Sequence, residues 1–213
     1  MPIFGDRLFF ELDTERIMCI GGALSGGKTR LAFDIALTYW RRGYRVISNV
    51  PHNFVNFTGK DDNALFKTFV IVDEGGEYVR QAKVASVITR SAGKANYYMI
   101  FAGKRMPHKN LQDIIIRPRF DFYQNYGLPF ILWSCRVCSD VPYKFNFWQV
   151  FPQRLHGTYS TLTSSGSIEK IIERATVTVE LLAAMEGQVA GVQVEAGQDG
   201  FADDLAEGLS AFS

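Results

Sequence analysis

The sequence predicts an α/β fold with a mostly parallel central sheet flanked by helices, and three observations predict it. Short apolar runs recur at Ile17–Ile20, Thr68–Val72 and Tyr97–Ala102. Each has strand length and no alternation, as expected of strands covered on both faces. Helix-patterned segments stand between them: Leu31, Ala32, Ile35, Ala36 and Tyr39 recur at helical spacing, and residues 79–92 form a second such stretch. Strands alternating with helices imply parallel pairing, because a parallel connection needs a crossover.

Taken in order, Arg7–Leu12 reads as a strand and Asp13-Thr14-Glu15 as a turn. Ile17–Ile20 is a buried strand running into a glycine turn. The helix that follows should stop at Gly43, after Arg41 and Arg42, whose charges suit its negative end, with Arg30, Asp34 and Arg42 off the apolar face. Tyr44–Val50 is a strand closed by Pro51, and residues 52–63 are loop-like. Asn110–Arg117 reads as a short helix stopped before Pro118. Phe130–Cys135 and Tyr143–Val150 flank Ser139-Asp140-Val141-Pro142 and read as an antiparallel hairpin extending the sheet. Ser167–Arg174 is a further helix. From about residue 186 the composition turns to Gly, Ala, Gln and acids. The expected organisation is one domain over residues 1–185 and a flexible acidic tail over 186–213.

A chain of 213 residues suits one well-buried α/β domain. No apolar run approaches the ~18 residues of a membrane helix, and the start lacks a leader pattern, so the expectation is a soluble, intracellular protein. Residues 175–213 hold seven acids and no Lys or Arg, leaving 23 bases against 15 acids in residues 1–174. A basic body of that kind is compatible with a polyanionic partner. The three cysteines, Cys19, Cys135 and Cys138, fit a reducing compartment. Cys135 and Cys138 have metal-ligand spacing, but no second pair exists and His156 is the one plausible addition, so strand positions explain them better than zinc.

Gly22-Ala23-Leu24-Ser25-Gly26-Gly27-Lys28-Thr29 matches G-x-x-x-x-G-K-T, the phosphate-binding loop. Glycines let backbone N–H groups curl around a triphosphate, and the following helix aims its positive end at the same anion. Lys28 can reach the β- and γ-phosphates, and Thr29 can hold Mg²⁺. The strand Phe69–Val72 ends in Asp73-Glu74, the Walker B arrangement. Asp73 would belong to the Mg²⁺ shell, and Glu74 would act as base toward the attacking water.

The segments Gly22–Thr29, Val46–Pro51 and Val72–Glu77, continued through Ile88–Lys94, Tyr98–Lys104 and Leu111–Arg117, resemble the Zot-type and virus-packaging members of the FtsK/HerA superfamily. The resemblance covers residues 17–123. It implies a P-loop NTPase fold of the RecA/FtsK kind and an ATP- and Mg²⁺-dependent motor. Such a motor forms a homo-oligomeric ring, usually a hexamer, that moves double-stranded DNA or drives phage assembly. Capsid or assembly proteins are implied partners, with the host cytoplasm or the virion as location. The family usually ends the strand after Walker B with a glutamine sensor of the γ-phosphate; here Lys104 stands in its place. Relatives also carry an arginine before that strand that reaches a neighbouring subunit's nucleotide. Arg90 fits that position, with Arg80, Arg105, Arg117 and Arg119 as rivals. Zot-type proteins commonly carry a membrane segment, and none is read here, which favours a packaging motor over an extrusion motor. A nucleotide-dependent interaction module without useful turnover is the third reading. The basic residues Lys104, Arg105, His108 and Lys109, then Arg117 and Arg119, can sense nucleotide or touch a DNA backbone, or form a solvated basic loop. Aromatics make up 14% of the chain and fall mostly at core spacing in strands, so the expected grip on DNA is through phosphates rather than bases.

Overall fold

The computed structural model describes residues 3–4, 6–22, 27–50, 64–76, 79–150 and 168–198. The loop expected over 52–63 and the tail beyond residue 198 lie outside them. The elements in chain order are β1 (Ile3–Phe4), α1 (Asp6–Glu15), β2 (Ile17–Gly21), α2 (Lys28–Arg41), β3 (Arg45–Ser48), β4 (Thr68–Asp73) and α3 (Ala82–Lys94). They continue with β5 (Tyr98–Gly103), a 3₁₀ turn (Lys109–Leu111), β6 (Ile114–Asp121), α4 (Phe122–Tyr126), β7 (Phe130–Val137), β8 (Tyr143–Val150) and α5 (Ile168–Gln198). One eight-stranded sheet runs in the order β1-β8-β7-β6-β2-β5-β4-β3. The five strands from β6 to β3 pair parallel, and β7, β8 and β1 extend them as an antiparallel wing.

Side chains alternate across this sheet into two cores. Met18, Ile20, Phe69, Ile71, Ile100 and Ala102 join the residues of α1 and α2 on one face. Ile17, Cys19, Val70, Val72, Met99 and Phe101 join those of α3 and α5 on the other. The connection from β2 to β3 crosses the sheet one way and that from β4 to β5 returns. Right-handed crossovers therefore place α2 and α3 on opposite faces. The parallel half thus forms a helix–sheet–helix sandwich, as the sequence predicts.

Two segments depart from the sequence reading. Residues 7–12, expected as a strand, belong to α1, and the expected turn Asp13–Glu15 is its last turn. In a strand Leu8, Phe10 and Leu12 would share a face; instead Leu8, Phe9 and Leu12 are buried and Phe10 is 69% exposed, the helical pattern. Residues 114–117, expected as helix, lie in β6. Three consecutive β-branched isoleucines favour a strand, and β6 closes the open edge of β2 by pairing Met18 with Ile114 and Ile20 with Ile116. Pro118 is tolerated because it lies past the last β2–β6 pair, where the register with β7 slips before Phe120.

Asp34 is a third departure, since it is fully buried rather than off the apolar face. The Gln149 amide donates to its Oδ2 at 2.5 Å, and the Trp133 indole N–H donates to Gln149 Oε1 at 2.9 Å. This chain of hydrogen bonds fastens β7 and β8 to α2. Helix α5 runs through Gln198, into the segment expected to be flexible. It is tied down by buried Ile168, Ile171, Ala175 and Thr178, and Thr178 Oγ1 accepts from Leu65 N–H at 2.8 Å. Among the described residues no helix is long and apolar enough to cross a membrane.

Asp113, just before β6, has its carboxyl pushed up to about 6, first by burial and then by the Glu15 charge. A folded-state value above the unfolded one means the folded chain holds the proton more tightly. This group's favourable contribution is complete below about pH 4 and is lost as pH rises through about 6. Asp113→Asn should therefore raise Tm at pH 8 and raise it much less at pH 4.5. Thermal unfolding of the pair at both values checks this, and equal shifts at both would contradict it.

Candidate functional site

The site assembles at the carboxyl ends of β2, β4 and β5. β2 and β5 pair in register to their last residues, Gly21 with Gly103, and Asp73 pairs with Ala102. The chain leaves β2 through α2 on one face, while β5 leaves through the Lys109–Leu111 turn, whose Leu111 enters the opposite core. Adjacent strands whose continuations part in this way form the crevice where open α/β sheets bind ligands.

From Gly21 the chain passes to Gly22, whose φ of 150° and close approach to Pro118 exclude a side chain: a Cβ would stand 3.0 Å from Pro118 Cδ. Ala23, Leu24, Ser25 and Gly26 lie outside the described residues. Gly27 takes up the chain at φ 71°, the left-handed region that favours glycine, and is the N-cap of α2 with no side-chain capping bond. Lys28 opens α2 and is buried to 5% exposure. The next residue, Thr29, donates its hydroxyl to Asp73 Oδ1 at 2.8 Å, joining the two motifs across 44 residues of sequence.

Asp73 is held from both sides. Its side chain accepts from Thr29, and its backbone is clamped by Asn49, just past β3. Asn49 Oδ1 accepts from Asp73 N–H at 2.7 Å, and Asn49 Nδ2 donates to Asp73 C=O at 2.8 Å. The amide side chain thereby continues the β3–β4 ladder past its last backbone pair. Burial pushes the Asp73 carboxyl up; the Thr29 hydroxyl opposes that, Glu74 adds to it and Lys28 opposes it. A hydroxyl and a carboxylate oxygen side by side are the hard donors Mg²⁺ takes, and a dication would relieve the burial penalty. On donor chemistry, and with Gly27 at the N-terminus of α2, these residues fit a magnesium–nucleoside triphosphate.

Glu74 is exposed and adopts φ 51°. Its N–H donates to Ala102 C=O at 2.6 Å, and its Oε2 accepts from Lys104 N–H at 3.1 Å. The left-handed backbone turns the side chain across the end of β5, where Gly103 leaves room: a Cβ there would stand 3.0 Å from Glu74 Oε2. Gly76 has a similar part, since a Cβ would fall 2.0 Å from Arg105 C=O and drive apart the two loops that frame the site. Lys104, Met106 and Arg117 line a cleft of about 310 Å³ with Gly21 and Gly22.

The structure thus brings together Gly22, Gly27, Lys28, Thr29, Asp73, Glu74 and Lys104. It sets Arg90 apart. Arg90 lies well along α3, exposed beside α5 residues such as Leu182 and Glu186. Of the rival arginines, Arg117 reaches the cleft. The sequence assigns Asn49 and Gly103 no site role, and Arg117 enters only as a rival finger and as one of the basic residues. Asn49 sits inside the Val46–Pro51 stretch that carries the resemblance, which is the one signal that could have found it. His108 serves the loop itself: its Nδ1 accepts from Asn110 N–H at 3.3 Å and its N–H donates to Val79 C=O at 3.1 Å. Cys135 is buried and Cys138 exposed, and among the described residues no cluster of three His, Cys, Asp or Glu could hold a metal ion.

Comparison with protein-family models, with curated proteins and with solved structures finds no match to this chain.

Asn49→Ala would leave a buried N–H and C=O of Asp73 unpaired, at about 1–3 kcal/mol for each group. The variant should melt several degrees lower and bind Mg²⁺–ATP more weakly than wild type. Unchanged melting and unchanged nucleotide affinity would show that Asp73 holds its place without the clamp.

Proposed function

We propose that this chain is an ATP-hydrolysing P-loop motor of the FtsK/HerA type that moves DNA, working as a homo-oligomeric ring in packaging a viral or mobile-element genome. The observation that carries the nucleotide part is the 2.8 Å hydrogen bond from Thr29 to Asp73. It places the residue after the phosphate-loop lysine against the acid of the second motif, the pairing a shared Mg²⁺ requires. The strand order adds support, because β5 stands between β2 and β4 and delivers Lys104 beside both motifs.

Bound Mg²⁺ would supply charge neutralisation on the phosphate oxygens. Thr29 and Asp73 would hold it, and Asn49 keeps Asp73 in place. The N–H groups of Gly27, Lys28 and Thr29 open α2 toward the β- and γ-phosphates, with the Lys28 ammonium reinforcing them. Glu74 takes a proton from water as the water oxygen bonds to the γ-phosphorus and the bond to the ADP oxygen breaks. Lys104 and Arg117 face the same cleft and balance charge gathering on the transferred group. A second reading, a nucleotide-binding module without turnover, is favoured by one observation: the Glu74 carboxylate is already engaged by Lys104 N–H. The water that hydrolysis needs would be taken by the remaining acceptor positions of that carboxylate.

DNA-stimulated phosphate release separates the two readings. Lys28→Ala should lose turnover with its fold intact, and Glu74→Gln should bind Mg²⁺–ATP and fail to hydrolyse it. Near wild-type hydrolysis by Lys28→Ala would end the ATPase reading. A wild-type protein that binds ATP and releases no phosphate with any DNA would favour the module.

Arg90 is proposed as the residue offered to a neighbour's nucleotide, for which its exposure on α3 suits it. An arginine finger is worth roughly 10³–10⁵ in rate. Arg90→Ala should hydrolyse ATP at a small fraction of the wild-type rate, and mixing it with Lys28→Ala should restore activity at interfaces joining an intact loop to an intact finger. A mixture that exchanges subunits and stays inactive would transfer the role to one of the rivals Arg80, Arg105, Arg117 and Arg119.

A further inference from the structure

The antiparallel wing has two unlike faces. On β7, Ile131, Trp133, Cys135 and Val137 are buried toward α1 and α2. The alternate positions turn the other way, and the register shows what stands with them. Ile115, Arg136 and Lys144 form one row, Arg117, Ser134 and Asn146 the next, and Phe120, Leu132 and Trp148 the third. Directly paired residues share a face. Arg117, Arg136 and Lys144 are exposed, and no acid stands in these rows.

The third row continues into an aromatic cluster at the end nearest α4. Phe122 lies 4.4 Å from Phe120, 4.8 Å from Phe130 and 5.7 Å from Trp148 between ring centroids. Tyr126 stacks on Phe120 at 19° between ring planes. These rings are not core: Tyr126 is 68% exposed, Trp148 40% and Phe120 38%. Aromatic rings clustered at the surface beside cations that, among the described residues, have no acid in their rows are poorly explained by folding, which would bury the rings or pair the charges.

We propose that this face binds single-stranded nucleic acid, with Arg117, Arg136 and Lys144 along the phosphates and Trp148 and Phe120 stacking on unpaired bases. Bases within a duplex are already stacked and offer no face to these rings, whereas every unpaired base does. The positive rows complement a phosphate backbone and would repel an identical face of a second copy. The inference deepens the proposed motor by naming the form of its substrate, and it departs from the duplex expected on sequence. Arg117 lies on this face and also lines the nucleotide cleft, so the strand would run to the edge of the ATP site.

The test is binding without nucleotide, so its outcome is independent of ATP turnover. Fluorescence anisotropy would compare labelled oligo(dT), oligo(U) and a duplex of equal length. About 20 nucleotides suffices, since a stacking platform covers roughly 4–16. Single strands should bind more tightly than duplex and quench the emission that Trp148→Ala removes. The ratio of dT to U affinity reports whether DNA or RNA is preferred. Trp148→Ala should weaken binding by about five- to hundredfold. With three phosphates neutralised, log affinity should fall with log salt at a slope of about −2, and more shallowly in Arg136→Glu or Lys144→Glu. These last two variants provide the test should Trp148→Ala fold poorly. Duplex binding as tight as single-strand binding, or affinity unchanged in all three variants, would overturn the proposal. So would a change of oligomeric state in Trp148→Ala with nucleic-acid affinity untouched, which would assign the face to a second copy of the chain.

Discussion

The pairing of β2 on both edges governs the rest of the molecule. All five of its residues are buried, and it is bonded to β5 on one side and β6 on the other. A strand so held has no freedom of register, because a one-residue slip would exchange the two cores on either face of the sheet. Its last residue therefore ends level with Gly103, and the glycine turn starts from a rigid platform. Thr29 can meet Asp73 because α2 departs from that platform on one face while β4 lies two strands away in the same parallel set.

Polar groups inside the fold keep this frame in place. Asp13 accepts from the Tyr39 hydroxyl at 2.6 Å and the Tyr98 hydroxyl at 3.0 Å and pairs with Arg42, joining α1, α2 and β5 at the edge opposite the site. Burial, with the Asp13 carboxylate beside it, pushes the Tyr39 hydroxyl well above the ordinary tyrosine range, so it stays a donor. At the other side of α2, the Asp34–Gln149–Trp133 chain fixes the wing. Helix α2 is therefore anchored at its middle and near its C-terminal end. The wing in turn extends the sheet, and among the described residues Phe120, Arg136, Lys144 and Trp148 on its outer face are exposed.

The two candidate motifs are legible in the sequence because their demands are local. A glycine turn between a strand and a helix, with Lys28-Thr29 at its end, and an apolar strand closed by Asp73-Glu74 each carry their geometry within a few residues. The parallel strands and α2 are equally plain, since burial on both faces leaves unbroken apolar runs. Residues 7–12 and 110–117 read wrongly for one reason. Both are short, apolar and flanked by ambiguous residues, and only the neighbours decide their form. Phe10 is released to the surface by a helix packing on the wing, and Ile114–Ile116 are drawn into a strand by the open edge of β2.

The sequence by itself determined the strand β2 with the helix α2 after it, the acid-ended strand and the hairpin of β7 and β8, all set by periodicity and turn residues close in the chain. Tertiary structure alone decided that Asn49 clamps Asp73, that Gly103 makes room for Glu74, that Arg90 stands apart from the cleft while Arg117 enters it, and that Phe120 and Trp148 stand at the surface. Each depends on which strands become neighbours and in what register. That is settled by contacts between segments far apart in the chain, which no local pattern records.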